Sequence, residues 1–323
     1  MQKRTFVRSA LGLGLVSALP SLRAQPAFPS RPITFVVPFA AGGGGDAVAR
    51  MIGKELSTRV GVPVVVENRA GAGGNIGAAY VLKAKPDGYT LLNMSSTYAI
   101  QAAVSKVPFD PIADMQPLLM VSRDPAIVLS VKGSPLRDAK SLVAAAKAKP
   151  GKITYGSAGV GSIAHLGMVE LGLVLGIEMQ HIPYKGTSLV YADLMAGSID
   201  IMLTGTTFAN PQIRGDRLQA LGIAGEKRYP SLPEVPTFAE QGYPEYRVHD
   251  WKAIGGPKGM PDTLVAQLNR ELNAALAMPS VSEKLTGEGS TVVGGTPEQM
   301  LQTIRSDIEH WKTVAQKANV QID

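Results

Sequence analysis

Short apolar runs alternate with amphipathic stretches along most of this chain. Ile33 to Phe39, Val62 to Glu67, Tyr89 to Met94, Ile127 to Val131 and Ile153 to Gly156 read as strands. Gln180 to Pro183, Ile199 to Leu203, Leu218 to Ala224 and Val248 to Ile254 continue the series. Between them, Ala47 to Val60, Ser141 to Lys149, Ser162 to Leu175 and Ser188 to Ala196 carry helical spacing. Such alternation predicts an α/β protein with largely parallel sheets. The last third changes character. Pro261 to Ala277 and Thr296 to Ala318 are long helices, with one strand candidate, Ser290 to Val293, between them. Thr296-Pro297-Glu298-Gln299 supplies an N-cap and a proline in the first turn, a helix start. A terminal helical pair of this kind is expected to pack back on the first domain, with chain crossings near residues 122–127 and 246–254.

The first 24 residues stand apart. Lys3, Arg4 and Arg8 precede a short apolar core, Ala10 to Leu19, and Leu22-Arg23-Ala24 offers cleavage before Gln25. This is an export-signal pattern, and Lys3-Arg4 leaves both the general and the twin-arginine route open. The signal changes the charge picture. The chain has 32 Lys+Arg and 26 Asp+Glu. Lys3, Arg4, Arg8 and Arg23 leave with the signal, so the mature balance is 28 − 26 = +2. The pI of 9.4 belongs to the full chain with its signal and therefore gives no argument for nucleic-acid binding. Cysteine is absent, which excludes a lipidated cysteine anchor, disulfides and thiolate chemistry. The expected location is the periplasm.

Several loops at expected strand C-termini suit an anion. Gly42-Gly43-Gly44-Gly45-Asp46 lies between a strand and a helix, where backbone N–H groups and a helix dipole can meet negative charge. Asp46 is expected to cap that helix. Ser95-Ser96-Thr97, Gly156 to Ser162 and Thr204 to Thr207 follow other strands. The C-terminal edge of an open α/β sheet is where ligands bind, and hydroxyls can donate to a carboxylate without a side-chain cation. A glycine loop at Asn68 to Asn75 adds Arg69, read as a brace, and Trp251 is read as core or hinge packing.

Gly159-x-Gly161-x-x-Ala164 also fits a loose dinucleotide fingerprint, the basis of an alternative reading as an exported oxidoreductase. The acid that such a site needs at the end of the next strand is missing. No G-x-S-x-G elbow or P-loop occurs, and the four histidines lack metal spacing. No cofactor or metal is expected.

Taken in order, these segments resemble the periplasmic solute receptors of tripartite tricarboxylate transporters, often called Bug receptors. The resemblance rests on Phe28-Pro29-Ser30-Arg31-Pro32-Ile33, Val37 to Gly43, Val64 to Arg69 with Gly71 to Gly77, and Pro86 to Leu92. It continues through Phe109-Asp110-Pro111, Ser157 to Ser162 with His165, Pro183 to Gly186, Leu232 to Thr237 and Gly294 to Pro297. It implies a two-domain, type II periplasmic-binding-protein architecture with two crossover strands and a ligand cleft. The expected division is residues 25–124 plus 250–323 against residues 125–249.

By match, a small organic carboxylate, di- or aromatic, with bridging waters would meet Phe39, Ala40, Ala41, Gly42 and Gly43, then Ser95, Ser96 and Thr97. Ser157, Ala158, Gly159 and Ser162 would complete the contacts, together with His165 and Tyr184. Thr204 and Thr207 offer further hydroxyls, with Lys252 near them as a partner for a second carboxylate. The resemblance implies a monomer delivering its ligand to large and small membrane transporter subunits, or a sensor reporting to a membrane kinase. Where relatives often carry an acid or amide, this chain has Thr204-Gly205, and Lys252 and Gly45 also depart from the pattern.

Overall fold

The computed structural model describes residues 28–320, so the export segment read at residues 1–24 lies outside the described residues. The chain runs β1 (Ile33–Val37), α1 (Gly44–Val60), β2 (Val64–Asn68), α2 (Asn75–Leu82), β3 (Thr90–Ser95), α3 (Thr97–Val104) and β4 (Met115–Pro125). It continues through β5 (Ile127–Val131), α4 (Ala139–Ala148), β6 (Thr154–Ser157), α5 (Ile163–Leu175), β7 (Gln180–Pro183), α6 (Thr187–Met195), β8 (Ile201–Thr204), α7 (Thr206–Arg214) and β9 (Leu218–Ile223). Then come β10 (His249–Pro257), α8 (Asp262–Leu276), α9 (Pro279–Gly287), β11 (Thr291–Gly294) and α10 (Pro297–Lys317). No helix among the described residues is long and apolar enough to cross a membrane.

Two sheets organise two lobes. One has the order β11-β4-β10-β3-β1-β2, the other β7-β6-β8-β5-β9. Parallel pairing holds for β2-β1-β3 and β7-β6-β8. The expectation of largely parallel sheets needs correction, because β10 runs against β3 and β4, β11 against β4, and β5 against β8 and β9. The reason for β5 and β10 lies in the connectivity. Each enters its sheet from the other lobe instead of through a helix on the same sheet. A strand arriving from across the cleft must point away from it, while β1, β3, β6 and β8 point toward it.

The crossings are tight. Ala126 alone separates β4 from β5. Its N–H donates to the Val248 carbonyl at 2.7 Å, and its own carbonyl accepts from Ala224 N–H at 2.7 Å. Val248 N–H closes the set on the Ala224 carbonyl at 3.1 Å. Every backbone group at this narrow place is thereby paired, as buried backbone requires.

Each sheet is covered on both faces. Phe35, Ile52, Leu56 and Leu272 pack α1 and α8 on the first sheet, while Leu92, Met94, Trp251 and Ile304 fill its other face. Leu142, Leu166 and Leu203 form one core of the second sheet; Val190, Leu194 and Met202 form the other. α10 starts with the reciprocal Thr296–Gln299 capping box expected from the sequence. It does not stay on one lobe. Met300, Ile304 and Ile308 belong to the first lobe's core, whereas Trp311 and Val314 join the second lobe's.

Candidate functional site

The strand ends that point across the cleft enclose a cavity of about 70 Å³. Its first wall is the glycine loop. Gly42 has φ of 86°, a left-handed conformation that glycine adopts without strain. That turn lets Gly42 N–H reach Asp46 Oδ2 at 3.1 Å. Asp46 also receives Arg50 Nε and Nη2, each at 3.0 Å, and Asn68 Nδ2 at 3.0 Å. Burial pushes its carboxyl up, but the bonds from Arg50, Gly42 and Asn68 outweigh this and hold it below the ordinary value. Asp46 is therefore not the cap expected from the sequence. It pins the loop that precedes the helix, and the N-cap residue Gly43 offers no side-chain bond.

The same lack recurs in other helices that reach the cavity. The N-cap residues of α3, α6 and α7, Ser96, Gly186 and Gly205, give their helices no side-chain cap. Gly43, Gly44 and Gly45 of α1, Thr97 of α3, Thr187 of α6, and Gly205 and Thr207 of α7 all line the cavity. Four positive helix ends with orphan N–H donors thus meet at one place. Ser95, Thr187 and Thr204 line it as well, and their hydroxyls make no hydrogen bond within the described residues. Phe39, Met94, Leu203 and Phe208 supply apolar surface.

Beside the N-termini of α3 and α7 the cavity is ionic. Asp250 lies at the root of β10, where its Oδ1 accepts from Ser96 Oγ at 2.8 Å and its Oδ2 from the Lys252 ammonium. Asp124, at the end of β4, accepts from Thr291 N–H at 2.7 Å, Ser290 Oγ at 3.1 Å and Ser122 Oγ at 3.3 Å. Burial pushes the Asp124 carboxyl up to about 6 despite those bonds. Thr207 Oγ1 is 3.1 Å from the same Ser290 hydroxyl, and the Tyr229 hydroxyl donates to the Pro125 carbonyl at the crossing.

Of the residues singled out in the sequence, Phe39, Ala40, Gly43, Ser95, Thr97, Ala158, Thr204 and Thr207 line this cavity. Others are brought close but engaged elsewhere. Ala41 accepts from Ser188 Oγ at 2.8 Å, and Gly42 packs beside the same serine. Ser96 braces Asp250. Ser157 is fully buried, with its hydroxyl 2.6 Å from His181 Nε2 and 2.9 Å from the Gly159 carbonyl. Ser162 caps α5 by accepting from His165 N–H at 3.3 Å. His165 Nδ1 accepts from Gly161 N–H at 3.2 Å, and its ring stacks on His181 at 4.0 Å. Burial drives His165 down to about 4, and burial with the neighbouring His165 drives His181 down to about 3. Gly159 and Tyr184 line an adjoining cavity at the mouth, and the Tyr184 hydroxyl donates to Asp193 at 2.6 Å.

The dinucleotide alternative meets an obstacle here. A Cβ on Gly161 would stand 2.4 Å from Gln101 Nε2, whose amide donates to the Val160 carbonyl at 2.6 Å. Gln101 fills the space that a pyrophosphate would need. Arg69 braces, as read: it pairs with Glu67 at 2.7 Å and stacks over Tyr80.

Sequence reasoning missed Asn93, Asp124, Thr187, Phe208 and Asp250, all of which line the cavity. A signal for two of them was present. Asp124 and Asp250 are acids inside the two segments expected to cross between lobes, where burial is certain and a lone charge needs a reason.

Comparison with known proteins agrees with this geometry. A family profile described as "Tripartite tricarboxylate transporter family receptor" matches residues 48–320. A protein from Pseudomonas sp. (strain P51), "UPF0065 protein in tcbD-tcbE intergenic region", is 40% identical over 94% of this chain and 92% of its own. The structure of periplasmic binding protein BugD superposes with a TM-score of 0.87 at 34% identity, covering 91% of this chain and 99% of that one. R. palustris Rpa4515 with adipate gives 0.87 at 31% identity, with coverage of 91% and 99%.

Proposed function

Because this chain belongs to the tripartite tricarboxylate transporter receptor family, we propose that it is a periplasmic receptor for a small organic carboxylate. Members of the family are solute-binding receptors and not enzymes, which sets the oxidoreductase reading aside. The ligand sits between the two lobes and passes to large and small membrane transporter subunits. The carboxylate is a diacid or an aromatic acid. The neighbour that carries adipate supports an acid of this size. Phe39 and Phe208 provide surface for an aromatic ring.

One observation carries the reading: the uncapped N-termini of α1, α3, α6 and α7 share a cavity with three unengaged hydroxyls. Neutral donors of this kind hold a carboxylate through oriented dipoles and release it when the lobes part. Capture needs only that the closed state bind the anion better than the open one. The test is mass spectrometry of small molecules released on denaturing the purified protein, followed by calorimetric titration with the acids found. Recovery of an organic acid that rebinds supports the proposal. A bound nucleotide, or a released compound without a carboxylate, rejects it.

A further inference from the structure

The charged groups on the cavity wall are not all paired. Asp250 accepts from the hydroxyl of Ser96, the N-cap of α3, and from the Lys252 ammonium. It also lies against the N-cap of α7, where a Cβ on Gly205 would stand 3.1 Å from Asp250 Oδ2. The N-termini of α3 and α7 and the one lysine on the wall therefore already face a carboxylate. Asp46, in the first turn of α1, is neutralised by Arg50. The ends of α1 and α6 are left for the carboxylate of a ligand. Asp250 holds the Lys252 charge, which replaces the expectation that Lys252 receives a second carboxylate.

Asp124 is the acid without a counter-ion. It is 3% exposed, and its hydrogen-bond partners, Thr291 N–H, Ser290 Oγ and Ser122 Oγ, are all neutral. Its Oδ1 accepts one bond and its Oδ2 two, so one of about four lone-pair sites remains, on Oδ1. A buried carboxylate without a paired cation is costly, and burial accordingly pushes Asp124 up to about 6, with Lys252 pulling only partly against it. Two further groups on the same wall lack a partner among the described residues. Thr204 is 8% exposed and its hydroxyl makes no hydrogen bond. Asn93 is 4% exposed and gives its Nδ2 to the Gly45 carbonyl at 3.2 Å, which leaves its Oδ1 unmet. A carboxylate can only accept, so it serves none of the buried acceptors.

Resting on the carboxylate reading above, we propose that the ligand bears an aliphatic ammonium as well as its carboxylate, and that Asp124 is the counter-ion of that ammonium. The formal sum of Asp124, Asp250 and Lys252 is −1 − 1 + 1 = −1, which one ammonium brings to zero and a second carboxylate would bring to −2. The N–H donors of the ammonium supply what Asp124 Oδ1, the Thr204 hydroxyl and Asn93 Oδ1 lack. The ligand is thus an amino diacid or an aromatic amino acid, a narrower class than either parent acid.

The test is calorimetric titration, at pH 7.5, of the full protein freed of ligand. The probes are matched pairs that differ by one amine: succinate with aspartate, adipate with 2-aminoadipate, 3-phenylpropionate with phenylalanine, and butyrate with 4-aminobutyrate. In the pair whose shape fits, the amino acid should bind at least tenfold more tightly than its parent. Asp124→Asn should reduce that advantage to less than threefold. A second readout needs no variant. Asp250, Lys252 and Tyr229 are the other titratable groups that face Asp124. At pH 6, in buffers of different ionisation enthalpy, binding of the amino acid should release protons, because a cation beside Asp124 favours its ionised form. Parent acids that bind as tightly as their amino partners, or proton uptake on binding, overturn the inference and leave the receptor reading intact. Failure of every probe to bind rejects that reading, and the inference with it.

Discussion

Gly44 and Phe208 bring two positive helix ends into contact: a Cβ on Gly44 would stand 3.8 Å from the Phe208 backbone nitrogen. Gly44 opens α1 on one lobe and Phe208 lies in the first turn of α7 on the other. Like ends repel unless negative charge lies beside them. Gly45, in the same first turn, lines the cavity and has no atom within 4 Å of where its Cβ would be. Gly45→Asp should thus place a carboxylate where the ligand's belongs. Affinity for carboxylates should drop at least tenfold, about 1.4 kcal/mol. The melting temperature of the empty protein should not fall, because an acid in the first turn of a helix contributes roughly 0.3–1 kcal/mol. Gly45→Asn separates charge from bulk: an equal loss of affinity in that variant would reject the electrostatic account.

Ser157 illustrates how burial changes an expectation. Read as a ligand donor, its loss would weaken binding. Its hydroxyl instead lies between His181 and Gly159, with no exposed surface. Ser157→Ala should therefore lower stability by about 1–3 kcal/mol, the range for leaving a buried polar partner unpaired. Urea unfolding measures that loss, and calorimetry should show ligand affinity unchanged. A variant of normal stability that binds tenfold more weakly would restore the donor role.

Glu170, on α5, has a buried Oε2 without a hydrogen-bond partner among the described residues. Burial pushes its carboxyl up to about 7, against the pull of Lys317. A raised folded value means that its contribution is fully present below the unfolded value near 4.5 and is lost as pH rises through about 7. Glu170→Gln should raise the melting temperature at pH 8 and give no gain near pH 4.5. Thermal scans across that window check it, and an equal gain at both ends would point to packing instead of charge.

The stacked histidines act in the opposite sense. Their folded values, about 4 for His165 and about 3 for His181, lie below the ordinary 6.5. Their neutral forms favour the fold above 6.5, and that support is lost as pH falls toward 4. A loss on the order of 1–3 kcal/mol should appear between pH 6.5 and 4. Replacing His165 by Phe should flatten the acid limb of the curve. An unchanged limb in a folded variant would assign acid unfolding to other groups.

Much of this was legible in the chain, for identifiable reasons. β1 and α1 read well because a continuous apolar run, a glycine loop and an amphipathic stretch follow one another. α10 announced its own start through Thr296, Pro297 and Gln299. β4 did not read as a strand, since Pro117, Ser122, Arg123 and Asp124 break its apolar run, and its pairing with β10 and β11 is long-range. α7 hid behind Pro211, and α3 behind Ser95-Ser96-Thr97, which looked like a loop. At the cavity, position along a strand end could be read, but the direction of each hydroxyl could not. Ser95 and Ser157 look alike in sequence; one faces the cavity and the other faces a histidine.

α10 has a mechanical consequence. It is one rigid rod of 21 residues seated in both lobes' cores, by Ile304 at one end and Trp311 at the other. The lobes can swing about such a rod but cannot simply pull apart, since separation would strip Trp311 from its packing. The chain's two tryptophans sit at Trp251 on a crossing strand and Trp311 on the rod. Each swing of the lobes should therefore alter the light they emit, giving the protein an intrinsic optical gauge of its own closure.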